Sequence, residues 1–155
     1  MELKKIGTIK EDKNGLYIQI DDPYRKALIG LDGFSHLHIL WWADQLDMPE
    51  MRTITTTEKP YKPGPDLLGL FATRSPLRPN PICTTIITVT DLNTSSGIIR
   101  TWYIDGEPGT PVVDIKPYLP CADHPATTTA PTWSAHLPET IEASAEFDWD
   151  SYFNF

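Results

Sequence analysis

The stretch that most restricts this chain is FATRSPLRPNPI, Phe71 to Ile82, with three prolines, two arginines and one asparagine in twelve residues. Proline fixes φ and removes a backbone donor. It also pushes the residue before it towards extended geometry, and Ser75, Arg78 and Asn80 each precede a proline. The segment is expected to be a stiff, extended loop that holds Arg74, Arg78 and Asn80 in set positions. Guanidiniums on such a loop suit bidentate capture of a carboxylate or phosphate. A plainer use of the same arginines is pairing with surface acids, and composition does not separate the two.

A chain of 155 residues is large enough for one domain with a real core. Fifteen prolines against nine glycines indicate many loops and extended segments. No apolar run approaches membrane-spanning length, and MELKKIGTIK lacks the long apolar core of a signal peptide. Cys83 and Cys121 make neither a disulfide framework nor a CxxC site. Reducing, cytoplasmic surroundings are therefore expected. The formal net charge of −8 is uneven, because Cys121 to Phe155 holds six of the twenty-one acids and no Lys or Arg. The body is close to neutral. Such a chain is not a generic polyanion binder, which would need many cations to neutralise phosphates.

Strand signals open the chain. Lys4 to Lys10 and Leu16 to Ile20 flank an Asn14-Gly15 turn. Asp22-Pro23 reads as a short helix start, with Asp22 as N-cap and the helix running to Ile29. Ser35 to Trp42 (SHLHILWW) is the most apolar stretch and reads as a central strand, with Trp41 and Trp42 on opposite faces. His36 and His38 would share a face, a spacing that suits zinc, but no third ligand stands out and a structural role is favoured. Met48 to Asp66 reads as a long polar loop beside the site. Leu67 to Phe71 leads into the arginine loop. Thr84 to Leu92 and Ile98 to Ile104 read as a hairpin around a turn at Asn93 to Gly97. Asp114 reads as a hydrogen-bond hub, with Lys116 as its partner. The tail from Cys121 ends in FDWDSYFNF, whose five aromatics suit docking on the body or on a partner subunit. No GxGxxG, GxxxxGK[ST] or GxSxG motif is present. The residues alone give a mainly β single domain, with a barrel as one possible closure.

Four ordered segments now bear on identity. FATRSPLRPNPI is similar to the ATRSPxRPNPIG signature of the TsaA-like family, which includes the TrmO tRNA methyltransferases. GLDGFSHLHILWW, Gly30 to Trp42, resembles its GLEGFSHLWILF strand. Ile104-Asp105 with Gly109-Thr110-Pro111 resembles LDLxDGTP, and VVDIKPYLP, Val112 to Pro120, matches almost letter for letter.

The resemblance implies a mainly β fold: a single small β-barrel domain of about seven mostly antiparallel strands with short helices and long loops, over residues 1–120. Residues 121–155 would be an acidic tail. It also implies a homodimer that binds S-adenosylmethionine near the subunit interface and N-methylates threonylcarbamoyl-adenosine in tRNA. Carried over residue by residue, cofactor contacts fall at Asp44, Gln45, Arg74, Thr84, Tyr103, Ile104 and Asp105, with Asp44 and Asp105 as candidate bases. Arg52, Lys59, Lys62 and Arg78 are the cations expected near tRNA phosphates. Asp44 stands where the family often has His, Cys83 replaces the Gly of PNPIG, and Pro108 replaces the acid of DGTP. The family's N-terminal RSP…PRQ segment and the C-terminal domain of longer members have no counterpart. These departures leave two alternatives: a methyltransferase acting on a small molecule or protein, and a non-catalytic S-adenosylmethionine-binding module.

Overall fold

A computed structural model describes residues 2–155. Seven strands form one antiparallel sheet: β1 Gly7–Asp12, β2 Gly15–Ile20, β3 His36–Trp42, β6 Ile82–Thr88, β7 Asp91–Asn93, β8 Ile98–Arg100 and β9 Pro111–Pro117. Their order across the sheet is β6-β3-β9-β1-β2-β8-β7. Two further strands, β4 Thr56–Glu58 and β5 Leu67–Gly69, pair only with each other. Short helices α1 Pro120–Asp123, α2 Ile141–Ala145 and α3 Trp149–Tyr152 lie in the tail. Among the described residues no helix is long and apolar enough to cross a membrane.

β3 is the central strand by pattern and by pairing. Its alternation turns Leu37, Ile39 and Trp41 inward, where all three are buried, and His36, His38, Leu40 and Trp42 outward. It pairs with β6 along its whole length and with β9 from Leu37 to Trp41. A bulge between Leu40 and Trp41 leaves Val113 as the extra residue of β9. The core gathers around Ile9, Ile18, Leu37, Ile39, Ile99 and Val112, each fully enclosed. Burying side chains of this size stabilises by about 1.5–3 kcal/mol each.

The two edge strands are consecutive in sequence. β6 ends at Thr88 and β7 begins at Asp91. In the link, the Val89 amide donates to Ser35 O at 2.8 Å and the Thr90 amide to Arg100 O at 2.9 Å. The sheet therefore curls until one short link touches both ends. β6 and β7 do not pair, so no closed barrel ladder is formed among the described residues.

Several local expectations need adjusting. The strand expected from Thr84 to Leu92 breaks at that link, and the strand expected from Ile98 to Ile104 stops at Arg100. The helix after β2 is a 3-10 helix, Asp22–Leu28, capped from Asp21 with no side-chain cap bond. Asp22 pairs instead with Arg25. Asp114 does take Lys116 Nζ and the Ile115 amide. His38 stacks on Tyr118 and lies 3.2 Å from Asp123 Oδ1, and no group of three metal-ligating side chains forms among the described residues.

The start of the tail meets the sheet, where Asp123 reaches His38 of β3, but its aromatic end bonds to the β4–β5 insert. Phe153 bridges to Tyr61, the Lys62 amide donates to Tyr152 O at 2.9 Å, and Asn154 bonds to the backbone of Pro60 and Lys59. Tyr61 stacks on Trp133 with ring centroids 5.2 Å apart and also meets Tyr152 and Phe153. The aromatic end of the chain thus forms a small cluster on the β4–β5 insert.

A tight approach inside the sheet gives a test of the fold. A Cβ built on buried Gly7 would lie 2.6 Å from the backbone oxygen of Gln19 on β2. Backbone cannot yield there without breaking the β1–β2 ladder. Gly7→Ala should lower unfolding free energy by about 1–3 kcal/mol, measured by urea denaturation.

Candidate functional site

The site forms where β3 ends and β6 begins. Trp41 faces Cys83 and Trp42 faces Ile82 across the ladder. The Ala43 amide donates to Pro81 O at 2.9 Å, which carries the pairing one step further. A 3-10 turn, Asp44–Leu46, follows β3, and the arginine loop enters β6 from the other side.

The loop is held by its own side chains. Arg78 Nη1 donates to Thr73 O and Ser75 O at 3.1 Å, and Nη2 donates to Leu70 O at 3.2 Å. Thr73, which is buried, donates its hydroxyl to Leu70 O and accepts the Ser75 amide. Arg78 also lies over the Phe71 ring, at 5.9 Å. Arg78 is therefore an internal clamp of the loop and not the free anion-capturing group expected from sequence. Arg74 is the opposite case. It is exposed and makes one bond, Nη2 to Thr84 O at 3.2 Å. That bond orients the guanidinium and leaves most of its donors free.

The other expected residues fall around these two strand ends. Gln45 Nε2 donates to Glu107 Oε2 at 2.9 Å, which ties the turn after β3 to the loop carrying Asp105. Tyr103 donates its hydroxyl to Asp105 Oδ1 at 3.1 Å. Burial, then the Asp105 carboxylate, pushes the Tyr103 hydroxyl pKa up, so it stays a donor. Ile104 is buried in the core and anchors that loop. Gly106 follows; a Cβ there would sit 2.5 Å from Ile9 Cδ1 and 3.3 Å from Trp41, so a larger residue would make the Ile9 side chain move aside. Asp44 is exposed, and its carboxylate has no partner among the described residues. Glu107 and exposed Trp102 were not singled out from sequence. Glu107 sits two positions after Asp105, and its pairing to Gln45 has no sequence signature.

Cys83 lies between these groups. Its thiol is pushed up to about 11, first by burial and then by the Asp105 carboxylate, while Arg78 and Arg74 pull it down. All three charged side chains therefore act on one point at the head of β6. The thiol packs against the hydrophobic core.

Comparison with known proteins follows from this geometry. The sequence model of the tRNA-methyltransferase O N-terminal domain matches residues 7–124. The chain belongs to this family. A probable S-adenosyl-L-methionine-binding protein of Pyrococcus horikoshii is 37% identical over 111 residues, covering 72% of this chain and 77% of that protein. The tRNA (adenine(37)-N6)-methyltransferase of Escherichia coli is 37% identical over 119 residues, covering 76% of this chain and 50% of the enzyme. A crystal structure of TrmO superposes with a TM-score of 0.65 at 26% identity, over 84% of this chain and 63% of that one. The chain thus spans half the length of the Escherichia coli enzyme and under two thirds of that TrmO chain. The tRNA-methyltransferase O domain match ends near α1, so the aromatic tail lies outside it.

Two expectations separate the arginines and the thiol. Arg78→Ala should cost about 1.5–3 kcal/mol, because three carbonyls lose a charged donor, whereas Arg74→Ala should stay within about 0.5 kcal/mol. Urea midpoints measure both. For Cys83, the unfolded thiol ionises near 9 and the folded one near 11. Unfolding should become easier as pH rises through that window, and Cys83→Ala should flatten the slope.

Proposed function

We propose that this chain is an S-adenosylmethionine-dependent methyltransferase that N-methylates threonylcarbamoyl-adenosine in tRNA. The observation that carries the reading is Arg74, oriented by Thr84 and otherwise free, in a chain whose residues 7–124 match the tRNA-methyltransferase O domain. The names of the Pyrococcus horikoshii and Escherichia coli relatives support the cofactor and the substrate class.

The residues present fit the cofactor. Arg74 offers unspent donors for its carboxylate. Asp44, Asp105 and Glu107 offer exposed carboxylates for its ammonium and ribose hydroxyls. Gln45 and Tyr103 hold two of those carboxylates in place. The departure at Cys83 does not fill the site, because its side chain packs into the core. When bound, S-adenosylmethionine supplies a methyl group on an activated sulfonium. The chain's part is alignment of the acceptor amine with that methyl, which supplies most of the rate, and exclusion of water from the reacting atoms. Of the two candidate bases, Asp105 already accepts from Tyr103, while Asp44 is free to take the proton of the acceptor amine.

The same reading places residues 1–120 as the methyltransferase domain with barrel-like curvature, and 121–155 as an appended tail. It makes the protein a cytoplasmic homodimer. Trp41 is core and Tyr152 and Phe153 pack on Tyr61, which leaves Trp42 and the exposed tail rings Trp149 and Phe155 as apolar surface for a subunit contact. Exposed Phe71, Trp102 and Tyr103 beside the site offer the apolar patch that a two-fold contact would use twice.

Calorimetry with S-adenosylhomocysteine should show binding that Arg74→Ala weakens at least tenfold. No binding by the unmodified protein at millimolar ligand would sink the reading. Labelled S-adenosylmethionine, supplied with total tRNA from a strain lacking the activity, should label a threonylcarbamoyl-adenosine nucleoside. Label found only in a nucleic-acid-free extract would move the substrate to a small molecule or protein. Light scattering at tens of micromolar should give twice the chain mass.

A further inference from the structure

A concavity of about 380 Å³ opens beside Trp42, on the outward face of β3. Trp42, Val113, Pro111 and Leu3 give it apolar walls, Lys5 and Arg52 give it cations, and Asn80 gives it an amide. None of the residues assigned to the cofactor lines it, and no carboxylate lines it. Its size falls in the range of small-ligand clefts, about 300–1,000 Å³.

The polar groups are held from outside the cleft. Asp47 accepts from Arg52 Nε and, at 2.9 Å, from Trp42 Nε1. The guanidinium thereby lies over the indole, 5.3 Å from its centroid. The Arg52 Nη groups make no hydrogen bond among the described residues. Arg52 and Asp47 hold each other in register, and hydrogen bonds from Arg52 and Trp42 keep the Asp47 carboxyl below the usual carboxylate range. Lys5 is tethered by Thr8 Oγ1 at 3.2 Å and Asp21 Oδ2 at 3.4 Å. The Asn80 side chain also makes no hydrogen bond among the described residues, so its donor and acceptor are both open.

We propose that this cleft binds one nucleotide of the RNA strand that flanks the methylated base. The base stacks on the Trp42 side of the cleft, its edge meets the Asn80 amide, and its phosphate meets Arg52 and Lys5. Aromatic platforms with adjacent guanidiniums suit single-stranded nucleic acid. Lys62 and Arg78 spend donors on backbone carbonyls, and Lys59 is ion-paired as Lys5 is, but none of the three lines the cleft. Lys62 Nζ donates to Asp150 O at 2.7 Å, Lys59 pairs with Asp66, and Arg78 clamps its own loop. Asn80 belongs to the same loop as Arg74, and Trp42 stands two residues before Asp44, so the cleft adjoins the proposed reaction site. The assignment rests on the tRNA reading above and names a strand contact for it.

The test uses the full chain, a fluorescein-labelled RNA hairpin carrying an anticodon loop, and anisotropy across a salt series. Calorimetry with S-adenosylhomocysteine runs on the same preparations. The double variant Lys5→Ala/Arg52→Gln should weaken RNA binding at least tenfold and reduce the log–log salt slope by about one to two. Cofactor affinity should stay within twofold. Asn80→Ala should weaken RNA binding severalfold with no change in slope. Lys5→Ala alone, on an exposed residue, guards against disturbance of the Asp47–Trp42 contact; about threefold weaker binding is expected, with a slope lower by about one. RNA affinity and slope unchanged in these variants, with cofactor binding intact, would overturn the cleft and leave the methyltransferase reading standing. No RNA binding by the unmodified protein would overturn the cleft as well. RNA binding lost in the variants, from a protein that binds no S-adenosylhomocysteine, would uphold the cleft and remove the methyltransferase.

Discussion

Pairing of β3 along both edges is the constraint on which the rest depends. Its inner residues, Leu37, Ile39 and Trp41, can reach the core only in one register, because a slip of one residue would turn them to solvent. That register places Trp41 opposite Cys83 and so positions the first residues of β6. The same register brings Ala43 against Pro81 and delivers both ends of the site to one place. The arginine loop then needs little from its surroundings. Arg78 satisfies three of its carbonyls from within, so the loop arrives at β6 already shaped. One guanidinium is consumed in making the loop so that the other can be presented from it.

Much of this was legible in the sequence, for identifiable reasons. The alternation in SHLHILWW fixed β3 and the opposite faces of Trp41 and Trp42, because period two has a single reading in a half-buried strand. The Asn-Gly turn gave β1 and β2 their pairing. The prolines marked the loop. The roles of its two arginines were not legible, because both sit within two residues of a proline in one polar loop and neither neighbourhood shows which way the side chain turns. Whether a guanidinium turns inward to carbonyls or outward to solvent depends on where Leu70 and Thr73 place their oxygens. The break at Val89-Thr90 was hidden for a similar reason: local alternation continues through it, and only the curvature of the whole sheet requires the strand to leave one ladder for another. The tail's position was also hidden. Its partner Tyr61 is far away in sequence and sits in a stretch that reads as polar loop.

The family relationship and the chain's own additions meet at the β4–β5 insert. The insert is hydrogen-bonded through Leu70 to Thr55 at its inner end, where it becomes the arginine loop. At its outer end the tail grips residues 59–62. The tail is therefore linked to the arginine loop through the backbone of the insert. It is the carbonyl of Asp150, not its carboxylate, that Lys62 meets.

The link between β6 and β7 carries one more consequence. Unpaired strand edges are templates for unwanted association with other chains, and proteins usually blunt them with charge, proline or a covering element. Here the two open edges belong to strands separated by only Val89 and Thr90. Each of those residues spends its amide on a different end of the sheet. The link therefore occupies the end of each edge where β6 stops and β7 starts. The curl that shapes the core thus shortens the free run of both edges at the link, and the short β7 adds only three residues of open edge.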